Sequence, residues 1–246
     1  MNKLIHRCEL IVIYCIVFLL TTLRLAAQDT SLNKYGLKVI NSVAWLQRSV
    51  AHQPGYQMVD LKTVIPSLVF DLRYASTNNF MQQQLYPHLS TTWLRKAAAD
   101  SLAKVQQQLS KLGLGIKIFD AYRPYAVTEK MWEPVKDDHY AADPKKGSGH
   151  NRGIAIDLTI INLKNGKELD MGTGFDNFTD SAHHAFTNLS EKILQNRSLL
   201  KKSMEEHGFK ALDTEWWHYS LPNAASYDLL DISFKELEKK NTIKHK

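Results

Sequence analysis

Alternating hydrophobic and polar positions predict a series of short β-strands along this chain. In residues 64–74 every second side chain is hydrophobic, which is the pattern of a half-buried strand. Residues 115–121 and 153–161 predict two further strands, and in the second of these Asp157 points away from the inward isoleucines. Residues 209–220, rich in aromatic side chains, predict the last strand.

Hydrophobic positions three and four residues apart predict three helices, over residues 92–112, 127–135 and 189–207. Gly113 and Gly208 directly follow the two longer helices and mark where they end. Strands and helices are mixed without a regular strand–helix–strand alternation. The pattern therefore predicts one α+β domain, with a small and mostly antiparallel sheet flanked by helices.

The first residues have the pattern of a secretory signal. Lys3 and Arg7 precede an apolar run of 11 residues at 10–20, which is shorter than the roughly 20 residues that a membrane-spanning helix needs. Small residues then offer a cleavage site, so we interpret residues 1–27 as a signal peptide. The alternative is an uncleaved N-terminal anchor, which Arg24 favours because it interrupts the region before the cut.

Composition narrows the classes of partner and cofactor. The formal net charge of the 246-residue chain is +6 and the basic residues are dispersed, which gives no footprint for nucleic acid. Both cysteines, Cys8 and Cys15, lie in the predicted signal. The mature protein then has no thiol, so any metal must be held by histidine and carboxylate. We expect an exported protein of the periplasm or cell envelope, without stable membrane insertion once the signal is cleaved.

Two clusters of polar residues suggest a metal site. His150 ends a loop, and Asp157 follows seven residues later inside a predicted hydrophobic strand, where an unpaired carboxylate would be costly. His218 lies in the last predicted strand, and three such ligands leave one position open on a catalytic zinc. Glu215 precedes His218 by three residues and is a candidate general base, although this spacing requires a bend in an extended strand. Taken singly, each histidine is more typical of a surface or structural residue.

Five stretches together resemble one known family. The chain is similar to the zinc D-alanyl-D-alanine dipeptidases of the vancomycin-resistance type, peptidase family M15, within the hedgehog/DD-peptidase group. The resemblance runs from about residue 60 to residue 220. Its stretches, in chain order, are DLRYASTNNF at 71–80, FDAYRP at 119–124, SGHNRGIAIDLT at 148–159, MGTGFD at 171–176 and TEWWHY at 214–219.

The resemblance implies a role for each catalytic position. His150, Asp157 and His218 would bind one Zn²⁺ ion per chain, and Glu215 would take the proton from the metal-bound water. Arg123 would stabilise the oxyanion formed when water attacks the peptide carbonyl. Physical chemistry alone supports this role, because a fixed guanidinium that points at a developing negative charge stabilises the transition state.

The resemblance further implies residues that bind the ends of the substrate. A dipeptide carries an ammonium and a carboxylate, and Asp176 matches the position that holds the ammonium, with Tyr74 assisting. Ser148 matches a position that hydrogen-bonds the substrate carboxylate, and Asp120 would orient the site by pairing with Arg123. One departure is Gly174, where many relatives carry proline, and it would loosen the loop that holds Asp176.

The expected function is zinc-dependent hydrolysis of the small dipeptide D-Ala-D-Ala, in cell-wall turnover or in scavenging of released dipeptide. Two alternatives are a D,D-carboxypeptidase acting on peptidoglycan stem peptides and a non-catalytic zinc-bearing binding module. Asp176 favours the dipeptidase, because a stem peptide has no free ammonium there. No feature of the sequence predicts an oligomeric state. The expected parts are a signal peptide, an N-terminal extension, the zinc dipeptidase catalytic domain and a charged tail that frays: residues 1–27, 28–60, 61–234 and 235–246.

Overall fold

A computed structural model describes residues 32–138 and 140–244 of the chain. The predicted signal peptide lies outside the described residues, and no helix within them is long and apolar enough to cross a membrane. The described strands are β1 Val39–Ile40, β2 Met58–Asp60, β3 Val69–Phe70, β4 Trp93–Arg95, β5 Leu114–Asp120, β6 Ala155–Asn162, β7 Lys210–Leu212, β8 Glu215–Ser220 and β9 Leu229–Leu230. The described α-helices are α1 Val43–Ser49, α2 Leu61–Val64, α3 Lys96–Ser110, α4 Tyr125–Val135, α5 Glu191–Glu206 and α6 Phe234–Lys244.

A five-stranded sheet forms the centre of the fold, in the order β3-β5-β6-β8-β7. The edge strand β3 runs parallel to β5, and the other three pairings are antiparallel. Helix α3 packs against β5 and α5, and α5 packs against β7 and β8. The α+β class and the mostly antiparallel sheet are therefore confirmed.

The strand expected over residues 64–74 is much shorter in the structure. Only Val69–Phe70 pairs with β5, and a 3₁₀ turn follows. Leu68, Leu72 and Tyr74 are nevertheless buried, as their alternation indicates. The alternation of hydrophobic residues thus predicted correctly which side chains are buried. It overestimated the length of the strand, because only two residues pair with a neighbouring strand.

The boundaries of two other elements differ from the prediction, because part of each element pairs with another strand. The helix expected over residues 92–112 begins at Lys96, since Trp93–Arg95 forms β4 and pairs with β2. The single strand expected over residues 209–220 is a hairpin of β7 and β8. The remaining predicted helices and strands agree with the structure to within a few residues.

The expected N-terminal extension and charged tail are both packed into the domain where they are described. Strand β1 pairs with β9 and β2 pairs with β4, so residues 32–60 close the fold from two sides. Trp45 and Leu46 of the extension and Leu237 of the tail are buried in one hydrophobic cluster, together with Phe234, the residue just before the tail. Hydrophobic burial of this kind stabilises by about 1.5–3 kcal/mol per large side chain, which explains why these segments are ordered.

Candidate active site

The three expected metal ligands converge at the end of the central sheet. Asp157 of β6 lies directly opposite His218 of β8 in the antiparallel register, and His218 Nδ1 is 2.9 Å from Asp157 Oδ1. His150 comes from the turn before β6, and its Nε2 lies 3.2 Å from His218 Nδ1 and 3.3 Å from Asp157 Oδ2. All three ligand atoms lie within 4.8 Å of one another. Side chains of directly paired residues on neighbouring strands lie close together on one face of the sheet. The strand register therefore brings together two of the three metal ligands, Asp157 and His218.

The chemistry of this cluster fits a divalent cation. His150 Nδ1 lies 2.7 Å from the carbonyl oxygen of Ala121, which can only accept, so Nδ1 carries the proton. The Nε2 atom of a neutral His150 then presents a lone pair toward the Asp157 carboxylate. Burial disfavours charge on Asp157, but His150 and His218 hold its pKa well below the usual value. Two imidazole nitrogens and a carboxylate suit Zn²⁺ and other first-row metals, and the Ala121 carbonyl orients the first ligand.

The turn that carries His150 is held by side-chain hydrogen bonds. The backbone N–H of Asn151 donates to Ser148 Oγ at 3.1 Å, and the backbone N–H of Ser148 donates to Asn151 Oδ1 at 3.0 Å. Asn151 is fully buried, and its Nδ2 donates to the Arg123 carbonyl and to Thr128 Oγ1. Sequence reasoning missed Asn151, although it lies inside the SGHNRG motif, because an asparagine in a loop is ordinarily taken as a turn residue.

Glu215 reaches the metal cluster from the start of β8. Its Oε2 lies 3.8 Å from His218 Nδ1, so both side chains point to the same place although they are three residues apart. The register of β7 and β8 shifts between Ala211 and Leu212, and Glu215 is the first paired residue after the turn. The expected bend is therefore present. Burial raises the pKa of Glu215 above its usual value, as a general base working near neutral pH requires.

Arg123 and Asp120 form a buried ion pair beside the cluster. Both Nε and Nη2 of Arg123 donate to Asp120 Oδ2, at 3.1 and 2.8 Å. The hydroxyl of Tyr86 donates to the other oxygen of Asp120 at 3.0 Å, which sequence reasoning did not anticipate. Burial opposes the charge on Arg123, but Asp120 holds the pKa of the guanidinium well above its ordinary value. A β-bulge between Ile118 and Asp120 turns this end of β5 toward the site.

A further carboxylate, that of Asp176 in the glycine-rich segment, lines the same cavity as the metal cluster. The hydroxyl of Tyr74 donates to Asp176 Oδ1 at 3.0 Å, and the amide of Phe80 donates to Asp176 Oδ2 at 3.4 Å. Asp176 has a φ of 59°, in the left-handed region that non-glycine residues rarely adopt. Withdrawal from bulk water, and then the charge of Asp157, raises the pKa of Asp176 to about 7.

These groups surround one cavity of about 330 Å³, which is small for a ligand site. Eight of the nine residues predicted from the sequence line it, and Asp120 lies behind Arg123. Ser148 is in the wall, where its hydroxyl accepts a backbone N–H and keeps its own proton for a ligand. Aromatic side chains close the remaining wall: Phe80, Tyr140, Phe178 and Trp217. The structure thus brings the predicted residues together, while their individual roles stay predictions.

A converged His₂Asp set beside a carboxylate is typical of metal-dependent peptidases. Comparison with protein families agrees: residues 55–239 match the peptidase M15 family described as D-Ala-D-Ala dipeptidase. The chain is 38% identical to the D-alanyl-D-alanine dipeptidase of Escherichia coli K12 over 178 residues, covering 72% of this chain and 91% of that protein. It therefore belongs to the D-alanyl-D-alanine dipeptidase family and is a hydrolytic peptidase.

Two further relatives bear the same name at lower identity. The D-alanyl-D-alanine dipeptidase of Enterococcus faecium is 31% identical over 180 residues, covering 65% of this chain and 89% of that protein. The protein of that name from Enterococcus faecalis V583 is 29% identical over 180 residues, with the same two coverages. A solved LdcB LD-carboxypeptidase structure aligns with 80% of this chain and 91% of its own, at a TM-score of 0.41 and 17% identity.

Proposed function

We propose that this protein hydrolyses D-Ala-D-Ala to two D-alanines, with one Zn²⁺ ion held by His150, Asp157 and His218. The names of the relatives support dipeptide hydrolysis. The observation that carries the specific substrate is Asp176, a hydrogen-bonded carboxylate in the wall of the same cavity as the three ligands. A carboxylate in a small cavity complements a free ammonium, which a dipeptide has and a longer stem peptide lacks at that point.

The hydrolysis requires one proton to move from the attacking water to the leaving amine. When bound, Zn²⁺ lowers the pKa of water and polarises a carbonyl oxygen. Glu215 is placed to accept the proton, since it lies beside His218 without being one of the three converging ligands. As the carbon–nitrogen bond breaks, the same carboxyl gives the proton to the departing amino group, which leaves as a neutral amine.

Arg123 supports the proposal as the group that stabilises the oxyanion. Its guanidinium lines the cavity, while its Nε and Nη2 are engaged by Asp120. That pairing fixes the plane of the guanidinium and leaves Nη1 for the substrate. A preorganised donor of this kind contributes about 2.7–4 kcal/mol to transition-state stabilisation.

Two more groups would hold the ends of the dipeptide. Asp176, held by Tyr74, would pair with the ammonium. Ser148 would donate its hydroxyl proton to the terminal carboxylate. Binding at both ends orients the scissile carbonyl between Glu215 and Arg123, and such positioning accounts for a large part of catalysis in small-substrate enzymes.

We place this reaction outside the cytoplasm, on the strength of the predicted signal at residues 1–27. An exported enzyme cannot reach the cytoplasmic dipeptide pool, so its role would be wall turnover or scavenging of released dipeptide. Cell fractionation with N-terminal sequencing of the native protein tests this. Native protein found in the cytosol with residues 1–27 intact would contradict it.

A hydrolysis assay on the zinc-loaded protein tests the activity. It compares free D-Ala-D-Ala, N-acetyl-D-Ala-D-Ala and L-Ala-L-Ala, with Glu215→Ala as the inactive variant. Glu205→Ala, the same change on the exposed face of α5, is the matched control. We expect cleavage of the free D,D-dipeptide alone, lost in Glu215→Ala and kept in Glu205→Ala. Cleavage of the acetylated substrate would indicate a carboxypeptidase, and no cleavage at all would favour a binding module.

A further inference from the structure

We propose that Arg197, on helix α5, is a positioning residue for Asp176. Its guanidinium binds both ends of the segment that carries Asp176 and thereby sets where that carboxylate stands in the cavity. The segment comprises residues 172–182, and we call it the Asp176 loop. The proposal rests on the proposed function, because it concerns the recognition of the substrate ammonium.

The contacts of Arg197 bracket the Asp176 loop. Nε donates to the carbonyl of Met171 at 2.7 Å, immediately before the loop. Nη2 donates to the carbonyl of Ser181 at 2.8 Å and Nη1 to that of His183 at 3.1 Å, at the other end. One rigid guanidinium therefore fixes the separation of the two ends of a segment that contains no α-helix or strand.

Arg197 is itself firmly held. It is 4% exposed, and its acceptors here are three backbone carbonyls rather than a carboxylate. Burial lowers the pKa of its guanidinium, which shows that charge at this place is costly. Each of the three guanidinium nitrogens donates to a carbonyl at one end of the loop or the other, and a lysine ammonium cannot reproduce that planar geometry.

The Asp176 loop needs such external support because its backbone is strained. Asp176, which is not a glycine, has a φ of 59°. A non-glycine residue in the left-handed region is energetically unfavourable and persists only where surrounding contacts impose it. Arg197 holds the two ends of the loop through three hydrogen bonds. The bond from Trp216 Nε1 to Thr173 Oγ1, 2.7 Å long, ties the same loop to β8.

A double-mutant cycle separates positioning from general stabilisation. Arg197→Lys is made in the wild-type protein and in Asp176→Asn, and zinc content and kinetics on free D-Ala-D-Ala are measured. Lysine keeps the charge but reaches a single carbonyl, so we expect kcat/KM to fall about 100-fold, mainly through KM. In Asp176→Asn the same change should cost about twofold or less. Equal losses in the two backgrounds, or no loss in either, would overturn the proposal.

A second measurement does not depend on activity. Hydrogen exchange of the backbone amides should become faster in residues 172–182 of Arg197→Lys and stay unchanged in β6, which carries Asp157. Arg197→Gln is a second variant if the first is poorly soluble, and Arg48→Lys on the exposed surface of α1 is the matched control. Unchanged exchange in the loop would contradict the role of Arg197. Absence of hydrolysis by the wild-type protein would instead contradict the proposed function, leaving the exchange result to decide on Arg197.

Discussion

The two sides of the active-site cavity are built in different ways. On the metal side, Asp157 and His218 are opposed partners on adjacent strands, and His150 lies in the turn that leads into the first of them. On the other side, Asp176 lies in an irregular stretch between β6 and α5 and has a left-handed backbone. Strand register positions the proposed metal ligands, whereas contacts from distant side chains position the group that we assign to substrate recognition.

Two buried arginines make this difference visible. Arg95 is fully buried and donates to the carbonyl of Arg152, two residues after His150, and to those of Tyr56 and Asp228. Arg197 uses the same chemistry on the Asp176 loop. The metal side is also supported by the strand pairing of the sheet. We therefore expect the loss of Arg95 to disturb its side of the cavity less than the loss of Arg197 disturbs the other side.

Removal of the metal should have the largest effect, because it abolishes the chemistry of the whole metal side. We expect dialysis against a chelator to eliminate hydrolysis and one equivalent of Zn²⁺ to restore it. The buried carboxylate and two imidazoles would then be left without their shared cation, so the melting temperature should fall as well. Full activity in protein shown by elemental analysis to be metal-free would contradict the metal site.

Replacement of Glu215, the general base that we propose, should have the next largest effect. Glu215→Gln keeps the shape of the side chain but cannot accept a proton, so we expect kcat to fall by about 10²–10⁴-fold with KM and zinc content little changed. Steady-state kinetics and metal analysis check this, with Glu205→Gln as the control. A large rise in KM without a fall in kcat would show that Glu215 binds substrate instead.

Arg123→Lys should reduce kcat by about 10²–10³-fold, since lysine keeps the charge but cannot bind Asp120 and the oxyanion together. Arg73→Lys is a comparison variant, because Arg73 also pairs with an aspartate, Asp71, and lies outside the cavity. Kinetics on both variants measure the difference. An unchanged kcat in Arg123→Lys would contradict the proposed catalytic role of Arg123.

The pH dependence should separate the two sides of the cavity. The pKa of Asp176 is raised to about 7, so below that pH the carboxyl takes up a proton and loses the charge that attracts an ammonium. We expect KM for the free dipeptide to rise as the pH falls from 7 to 5, by up to about tenfold per pH unit. Asp176→Asn should have a high KM that does not vary over this range. A wild-type KM that is constant from pH 5 to 7 would contradict the assignment.

The smallest effects concern two neighbouring glycines of the Asp176 loop. Gly174 lies outside the left-handed region, and a Cβ there would meet nothing within 4 Å, so Gly174→Ala should stabilise the protein by about 0.4–1 kcal/mol. Gly172 has a φ of 81° and would bring a Cβ to 3.0 Å from Leu189 and Ile193, so Gly172→Ala should destabilise it. Denaturant unfolding of both variants checks the opposite signs.

The same division explains what the sequence could reveal. The metal side was predicted because His150, Asp157, Glu215 and His218 lie in two short motifs, and strand pairing then brings those motifs together. Asp176 was located by resemblance, and its bond to Tyr74 joins residues 102 positions apart. Neither the spacing of hydrophobic residues nor a local motif can predict a contact between residues so far apart in the sequence.

The residues that were missed are those whose hydrogen-bond partners lie in other segments of the chain. Asn151, Tyr86 and Arg197 bind carbonyls or a carboxylate that come close only in the folded chain. In the sequence, Arg197 is one basic residue of a polar helix, where solvent exposure is the ordinary expectation. The packing of residues 32–60 was missed for a similar reason, since the partners of that segment lie far along the chain.

We propose that Asp176 makes this active site specific for a free dipeptide. Calorimetric titration of zinc-loaded Glu215→Gln with D-Ala-D-Ala and N-acetyl-D-Ala-D-Ala tests it without turnover. A partly buried ammonium–carboxylate pair predicts at least about 30-fold tighter binding of the free dipeptide, and Asp176→Asn in the same background should remove that preference. Equal affinity for the two ligands, or a preference that survives Asp176→Asn, would contradict the account.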